Sequence, residues 1–283
     1  MTPPTPQHQI GRPPTRSAHR VQDSAWTKTL LNKVPEVVRL FWIIKIMSTT
    51  VGETAADFLS ENLGLGLPAT TAIMSVLLAA VLIAQFSVRR YIPAIYWLAV
   101  VLISVVGTLF SDNLVDNLGV SLWTTTAIFG VGLIASFAAW YRNEHTLSIH
   151  SIVTRRREAF YWLAILFTFA LGTSAGDLIA ERLAFGYVPS AIMFGSIIAL
   201  ILLAYWKLGL NAVVAFWAAY ILTRPFGASM GDFLTATPKD GGLGLGTNGT
   251  SAMFLAVIVG VVVWFTVQGR KADQDARDER MKA

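Results

Sequence analysis

The chain contains a motif of Phe41-Trp42, Gly52 and Asp57 that occurs four times in register. The copies are Phe41-Trp42…Gly52…Asp57, Tyr96-Trp97…Gly107…Asp112, Tyr161-Trp162…Gly172…Asp177 and Phe216-Trp217…Gly227…Asp232. They begin at residues 41, 96, 161 and 216, which are 55, 65 and 55 residues apart. Self-similarity at a nearly fixed period is typical of repeat proteins, so the sequence predicts four tandem structural units.

The composition is that of an integral membrane protein. Of the 283 residues, 54% are hydrophobic and only 14% are charged, whereas a soluble domain has about 25% charged residues. The chain has no cysteine, which excludes disulfides and thiolate metal sites. Open sheet is excluded in lipid, so the apolar segments are expected to be helices.

Each repeat holds two apolar segments near the roughly 20 residues that a membrane-spanning helix needs. The predicted spans are residues 37–60, 69–88, 91–112, 122–141, 158–180, 188–206, 210–233 and 250–268. The predicted fold is therefore an all-α membrane protein with eight transmembrane helices, arranged as four parallel two-helix repeats.

Basic residues concentrate in alternate loops, and this pattern predicts the orientation. Arg89-Arg90, Arg155-Arg156-Arg157 and Arg270-Lys271 lie on the same side as the N terminus. The positive-inside rule places that side, and both termini, in the cytoplasm. The predicted organisation is a disordered basic tail (1–35), two pseudo-symmetric four-helix halves (36–141 and 158–269), a cytoplasmic joint (142–157) and a charged tail (270–283).

The repeated tryptophans and glycines have structural interpretations. Each tryptophan lies near the cytoplasmic start of an odd-numbered helix, which favours an aromatic belt at the headgroup level, with packing against a neighbouring repeat as the alternative. Each glycine favours close approach of two helices. The alternative for the glycines is local unwinding that exposes carbonyls to an ion, above all near Pro225 in the seventh helix.

The repeated aspartates are the strongest functional signal, because carboxylates are rare within membrane spans. In three copies a second acid follows four residues later, as Asp57/Glu61, Asp112/Asp116 and Asp177/Glu181, whereas the fourth copy has Ala236. The spacing puts both carboxylates of a pair on one helix face. Two structural alternatives remain: the aspartates meet interfacial water, or they accept hydrogen bonds from groups that open the even-numbered helices, with Thr71, Thr126, Ser190 and Ser251 as candidates.

Charge balance favours a cation site. Besides Arg39 and Glu158, which lie at the cytoplasmic ends of their spans, the spans contain Glu53 and the four aspartates against only Lys45 and Arg224. Carboxylates in a low-dielectric setting either take up protons or hold cations. Their hard oxygens suit Mn²⁺, Mg²⁺ or Ca²⁺. The predicted metal ligands are Glu53, Asp57, Asp112, Asp177 and Asp232, and Glu53, which has no acidic counterpart at its position in the other repeats, is the candidate for ion or proton coupling.

Lys45 and Arg224 are expected to neutralise a carboxylate across the bundle or to contact an anionic substrate. No arrangement of Ser, His and Asp or of Cys and His indicates an enzyme, and no covalent cofactor or nucleic-acid partner is expected. The expected partners are the lipid bilayer and a cation or small-molecule substrate, and a homo-oligomer is compatible with the sequence.

The chain resembles a bacterial family of uncharacterised membrane-anchored proteins. The resemblance rests on the four repeats and on phrases such as Lys33-Val34-Pro35-Glu36-Val37, Thr50-Val51-Gly52-Glu53-Thr54 and Thr154-Arg155-Arg156-Arg157-Glu158-Ala159. It covers residues 32–268 and implies eight transmembrane helices in a bacterial inner membrane, without implying a settled activity.

The leading hypothesis from the sequence is a cation transporter that exports a Mn²⁺-like divalent ion, with one carboxylate exchanging a proton. The first alternative is a membrane sensor or scaffold that transports nothing and recruits a partner through residues 142–157. The second is a carrier for a small organic solute, with Lys45 or Arg224 holding its anionic group.

Overall fold

A computed structural model describes residues 33–37 and 39–282, with the side chains of all of these except 240, 265 and 268–282. Within that part of the chain there are eight α-helices and no strand. They are α1 (Arg39–Asp57), α2 (Leu67–Ser87), α3 (Pro93–Asp112), α4 (Leu122–Glu144), α5 (Arg155–Asp177), α6 (Tyr187–Leu208), α7 (Ala212–Thr235) and α8 (Thr247–Lys282). Of the predicted basic tail at residues 1–35, residues 1–32 lie outside the described residues.

Local signals in the sequence account for the helix ends. Pro93 occupies the first turn of α3, where its missing N–H costs nothing. Ser121 and Thr154 cap α4 and α5 by accepting hydrogen bonds from the backbone N–H groups of Thr124 and Arg157. Gly209 ends α6 with φ of 69°, a conformation that glycine adopts without steric cost.

The helices form an inner ring and an outer layer. The odd-numbered helices α1, α3, α5 and α7 contact one another in that order, and α7 contacts α1. Each even-numbered helix packs on the inner helix of the following repeat, so that α2 packs on α3, α4 on α5, α6 on α7, and α8 on α1. In the most apolar stretch of α3, 72% of residues are buried, against 17% in α2. The repeats therefore close into a cyclic arrangement.

Six of the helices are long and apolar enough to cross a membrane: α2, α3, α4, α5, α6 and the part of α8 from Thr247 to Trp264. The inner helices α1 and α7 are not among them. They carry Lys45, Glu53 and Arg224, all of which are buried inside the bundle. These polar side chains are surrounded by other helices of the bundle. An eight-span topology therefore requires that α1 and α7 cross the membrane inside the bundle, packed against their neighbours.

Three inner helices change their winding directly after the repeated aspartate. Five-residue π-helical turns follow α1, α3 and α5, at Phe58–Asn62, Asn113–Asn117 and Leu178–Arg182. Helix α7 continues instead as an α-helix to Thr235, three residues past Asp232. The end of the bundle that holds the aspartates is called the acidic end below, and the end that holds the aromatic pairs is called the aromatic end.

Candidate functional site

The interior of the inner ring is organised by positions spaced four residues apart. On α1 these are 41, 45, 49, 53, 57 and 61, and the other inner helices repeat them from residues 96, 161 and 216. Four residues make slightly more than one turn, so these positions follow one face of each helix. They define successive layers from the aromatic end to the acidic end.

The first layer is aromatic and joins each repeat to the next. Its members are Phe41, Tyr96, Tyr161 and Phe216, and all four are buried. Each ring lies against the tryptophan of the following repeat, with centroid distances of 5.7 Å for Phe41–Trp97, 5.5 Å for Tyr96–Trp162, 6.2 Å for Tyr161–Trp217 and 5.6 Å for Phe216–Trp42. Packing between repeats is therefore confirmed for all four tryptophans. The expected aromatic belt is wrong for Trp97, Trp162 and Trp217, which are buried in the protein, while Trp42 is half-buried.

The repeated glycines make the same kind of contact between neighbouring repeats. A Cβ atom would overlap Ser104 if added at Gly52, Phe169 at Gly107, Arg224 at Gly172, and Thr49 at Gly227. In each case the neighbour lies three residues before the glycine of the next repeat. Close packing is confirmed, and the alternative of unwinding is wrong for α7, which remains helical through Pro225.

A buried ion pair lies between the four inner helices. Nη2 of Arg224 on α7 is 2.5 Å from Oε2 of Glu53 on α1. The same nitrogen donates to the hydroxyls of Thr173, at 2.7 Å, and Thr108, while Nη1 donates to the carbonyl of Thr49 at 3.2 Å. The Arg224 side chain is 0% exposed and the Glu53 side chain 9%. Arg224 thus has the expected role of counter-charge, and Glu53 is engaged by protein rather than free as a ligand.

Lys45 has a different environment from Arg224. Its Nζ lies 4.1 Å from the ring centroid of Phe169 and 4.4 Å from that of Tyr220. The side chain is fully buried, and Nζ has no hydrogen-bond partner among the described residues. Lys45 therefore makes cation–π contacts in place of the carboxylate pair that was expected.

The four aspartates form a layer one helical turn beyond Glu53. Asp57, Asp112, Asp177 and Asp232 are all half-buried, and all four lie within electrostatic range of Glu53. No side chain of the described residues donates a hydrogen bond to any of their carboxylates. Glu61, Asp116 and Glu181 lie one turn further out and are exposed. Carboxyl groups therefore extend from the exposed rim of the acidic end to the buried Glu53.

The hydroxyls that were expected to support the aspartates bond elsewhere. Thr71 and Ser190 donate to the helix carbonyls of Leu67 and Gly186, each at 2.7 Å. Ser251 donates to the Thr54 hydroxyl at 2.5 Å, and the Thr126 hydroxyl is buried without a partner among the described residues. These four side chains therefore do not cap the aspartates, which corrects one of the two structural alternatives.

A preformed metal centre is not visible in the described part of the chain. It contains no group of three or more His, Cys, Asp or Glu side chains that could hold a metal ion. In this conformation the aspartate layer is a ring of separated carboxylates, and Glu53 is occupied by Arg224. The predicted ligands thus line the interior of the inner ring, but they do not converge on a single metal position.

One polar cluster was missed by the sequence analysis. Lys33 Nζ lies 2.7 Å from Oε2 of Glu158, and Gln85 Nε2 donates to Oε1 of the same carboxylate at 3.0 Å. All three side chains are buried at the aromatic end. A usable signal existed: Glu158 follows three consecutive arginines at the start of an apolar span, where an unpaired acid is costly.

A family model described as Repeat of Unknown Function (DUF347) matches residues 40–91, 95–146, 160–209 and 215–271. The chain belongs to this repeat family. Each DUF347 match begins one residue before the aromatic pair and includes one inner and one outer helix. No curated protein and no solved structure matches the chain.

Proposed function

We propose that this DUF347 protein transports cations across the bacterial inner membrane and that the aspartate layer is where they enter. The observation that carries the proposal is the layer itself: four half-buried carboxylates around one interior, without hydrogen bonds from the described side chains and directly outside the buried Glu53. Carboxylates that fixed the structure would be expected to have donors, since buried polar groups are normally hydrogen-bonded.

The gradient of burial supports a path for a cation. A cation approaching the acidic end meets the exposed Glu61, Asp116 and Glu181, then the half-buried aspartates, and then Glu53. Clefts lined by one sign of charge concentrate the opposite ion. By the positive-inside rule the acidic end faces away from the cytoplasm and both termini lie inside. In this arrangement all eight helices cross the membrane, with α1 and α7 shielded by their neighbours.

The class of ion follows from the ligands. Carboxylate, hydroxyl and carbonyl oxygens suit hard cations, and Mg²⁺, Mn²⁺ and Ca²⁺ all take such ligands. Separated carboxylates can hold an ion that keeps part of its water shell, as Mg²⁺ characteristically does. A divalent ion also compensates more of the excess negative charge per site than a monovalent one. We therefore expect selectivity for a divalent ion, with Mn²⁺ as the first candidate. Because this path leads inward from the end that faces away from the cytoplasm, it favours uptake, whereas export was the expectation from the sequence.

The test is cation-dependent thermal stabilisation of the purified protein, with Mn²⁺, Mg²⁺, Ca²⁺, Zn²⁺ and Na⁺ each added alone. A ligand at 100 times its dissociation constant stabilises the folded state by about 2.7 kcal/mol. We expect a selective shift that Asp57→Asn abolishes. Glu36→Gln is the matched control, because Glu36 is an exposed acid at the opposite end of the bundle.

Transport is then measured in liposomes that contain a fluorescent indicator for the stabilising ion. We expect flux in the wild type and in Glu36→Gln, and loss of flux in Asp57→Asn. The proposal fails if no cation shifts the unfolding temperature and Asp57→Asn is as stable as the wild type, because the aspartates would then have only an architectural role.

A further inference from the structure

The guanidinium of Arg224 is surrounded by an unusual set of acceptors. They are the Glu53 carboxylate, the hydroxyls of Thr108 and Thr173, and the backbone carbonyl of Thr49. These oxygens come from α1, α3 and α5, while Arg224 itself is on α7. Four oxygens on three helices thus converge on one positive charge inside the ring.

This set of oxygens is also suited to an inorganic cation. One carboxylate, two hydroxyls and one carbonyl are typical ligands of hard metal ions. We propose that Glu53, Thr108, Thr173 and the Thr49 carbonyl form the inner cation site of the protein, and that Arg224 occupies it as a tethered competitor. The inference rests on the proposed function, because it assigns the step that follows capture by the aspartates.

The register of the repeats supports the role of a competitor. The positions equivalent to Arg224 are Thr49, Ser104 and Phe169, so only one inner helix carries a cation there. The fourth position of the Glu53 layer is Ala228, which supplies no ligand. A buried ion pair usually stabilises a protein no more than well-packed apolar residues do. A contribution to folding stability therefore does not explain why this pair is present.

The structure also provides a place for the displaced guanidinium. The Cβ and Cγ atoms of Arg224 lie against Gly172, which fixes the stem of the side chain. Its charged end lies within electrostatic range of Asp57 and Asp177. A cation entering the site would release the guanidinium to these carboxylates, so one positive charge moves outward as the cation binds at Glu53.

The test compares Arg224→Met with Glu53→Gln/Arg224→Met. Methionine keeps the Cβ and Cγ atoms that pack on Gly172 and removes the charge. Binding of Mn²⁺, Mg²⁺, Ca²⁺, Na⁺ and K⁺, each alone, is measured by calorimetry on the purified proteins. We expect Arg224→Met to bind at least one of these ions about tenfold or more tightly than the wild type, since removing a competitor raises apparent affinity by the inverse of the free fraction. The double variant should lose that gain.

The inference is overturned if Arg224→Met binds no ion more tightly than the wild type, or if the double variant keeps the gain. Arg224→Lys covers the case in which the methionine variant does not fold, because it retains the charge. Its ammonium cannot reproduce the planar fork of the guanidinium, so its gain in affinity should be smaller but present. Wild-type behaviour of a folded Arg224→Lys protein would equally overturn the inference.

The two proposals fail in different ways. An Asp57-dependent shift in the wild type without any gain in Arg224→Met leaves cation capture intact and removes the inner site. A gain in Arg224→Met that requires Glu53, without an Asp57-dependent shift, supports the inner site and removes the aspartate layer as the entrance. Absence of both effects removes both proposals.

Discussion

Gly227 in the last repeat packs against Thr49 in the first, and this contact closes the ring of inner helices. It is supported by the Thr50 hydroxyl, which donates to the Gly227 carbonyl at 3.0 Å. The relation between Gly227 and Thr49 is the one that Gly52 has to Ser104. The first and last repeats are therefore neighbours in the same sense as consecutive ones.

A methyl group at a ring glycine should destabilise the protein. In Gly52→Ala the new Cβ overlaps the Ser104 side chain, and overpacking of this kind costs about 1–3 kcal/mol. Gly260→Ala is the control, since Gly260 is a helical glycine on α8 with nothing within 4 Å of its added Cβ. It should be neutral or stabilising, because alanine favours a helix over glycine. Thermal unfolding in detergent compares them, and equal stability of the two variants would contradict the close contact.

Removing either partner of the central ion pair should be costly. Glu53→Gln leaves the guanidinium of Arg224 buried without a counter-charge, which is expected to lower the free energy of unfolding by about 3–5 kcal/mol. The double variant Glu53→Gln/Arg224→Met should lose less than the sum of the single changes. Denaturant unfolding in detergent provides the double-mutant cycle, and additive losses would indicate that the pair is not coupled.

A buried and a partly exposed ion pair at the aromatic end should differ in strength. Glu158→Gln leaves the buried Lys33 without its carboxylate and should cost about 3 kcal/mol or more. Glu144→Gln removes the partner of Arg157, whose side chain is 25% exposed, and should cost about 1 kcal/mol or less. The same unfolding measurement checks both variants, and a reversed order would show that the Lys33–Glu158 pair is open in solution.

Trp217 and Trp162 offer a matched comparison of one hydrogen bond. Both indoles are buried, but of the two only Nε1 of Trp217 has a partner among the described residues, the Leu147 carbonyl at 2.9 Å. Replacement by phenylalanine removes similar apolar volume at each site. Trp217→Phe should therefore cost about 1 kcal/mol more than Trp162→Phe, the usual net value of a hydrogen bond. Equal melting temperatures of the two variants would argue against the bond.

Neutralising an aspartate should stabilise the cation-free protein. Asp57 has Glu61 four residues later, and like charges at that spacing cost about 0.2–0.5 kcal/mol. Asp57→Asn should recover that amount in the presence of a chelator. Asp232→Asn should lack this contribution, since Ala236 stands at the corresponding position. A loss of stability in Asp57→Asn would mean that the carboxylate has a structural partner.

Much of the fold could be predicted because the repeated motif indicates both where the helices lie and where two helices approach closely. Eight helices occur near the predicted positions, and the glycine contacts follow the expectation of close packing. Which helices form the inner ring was not predicted, since six of the eight helices, inner and outer alike, are apolar enough to cross a membrane and periodicity does not distinguish lipid from a protein neighbour. The tryptophans were assigned to the headgroup level because lipid headgroups and neighbouring aromatic rings both favour an indole.

The candidate site was predicted in its residues but only partly in its connections. The single Glu53 and the excess of acids over bases could be read from the chain, and Arg224 proved to be a counter-charge. The pairing of Arg224 with Glu53 depends on the contact between α1 and α7. The two residues are 171 positions apart in the sequence. The contacts of Lys45 with Phe169 and Tyr220 likewise arise only after the ring closes.

The packing of α8 on α1 has a consequence for how the protein is made. Of these eight helices α1 leaves the ribosome first, yet two of its neighbours, α7 and α8, are the last of the eight to be synthesised. Until α7 and α8 are made, Glu53 has no guanidinium beside it, and the polar face of α1 is not packed against these two helices. Insertion of the hairpin of α1 and α2 therefore yields an incomplete unit, and the hairpin of α7 and α8 completes the ring by returning to α1.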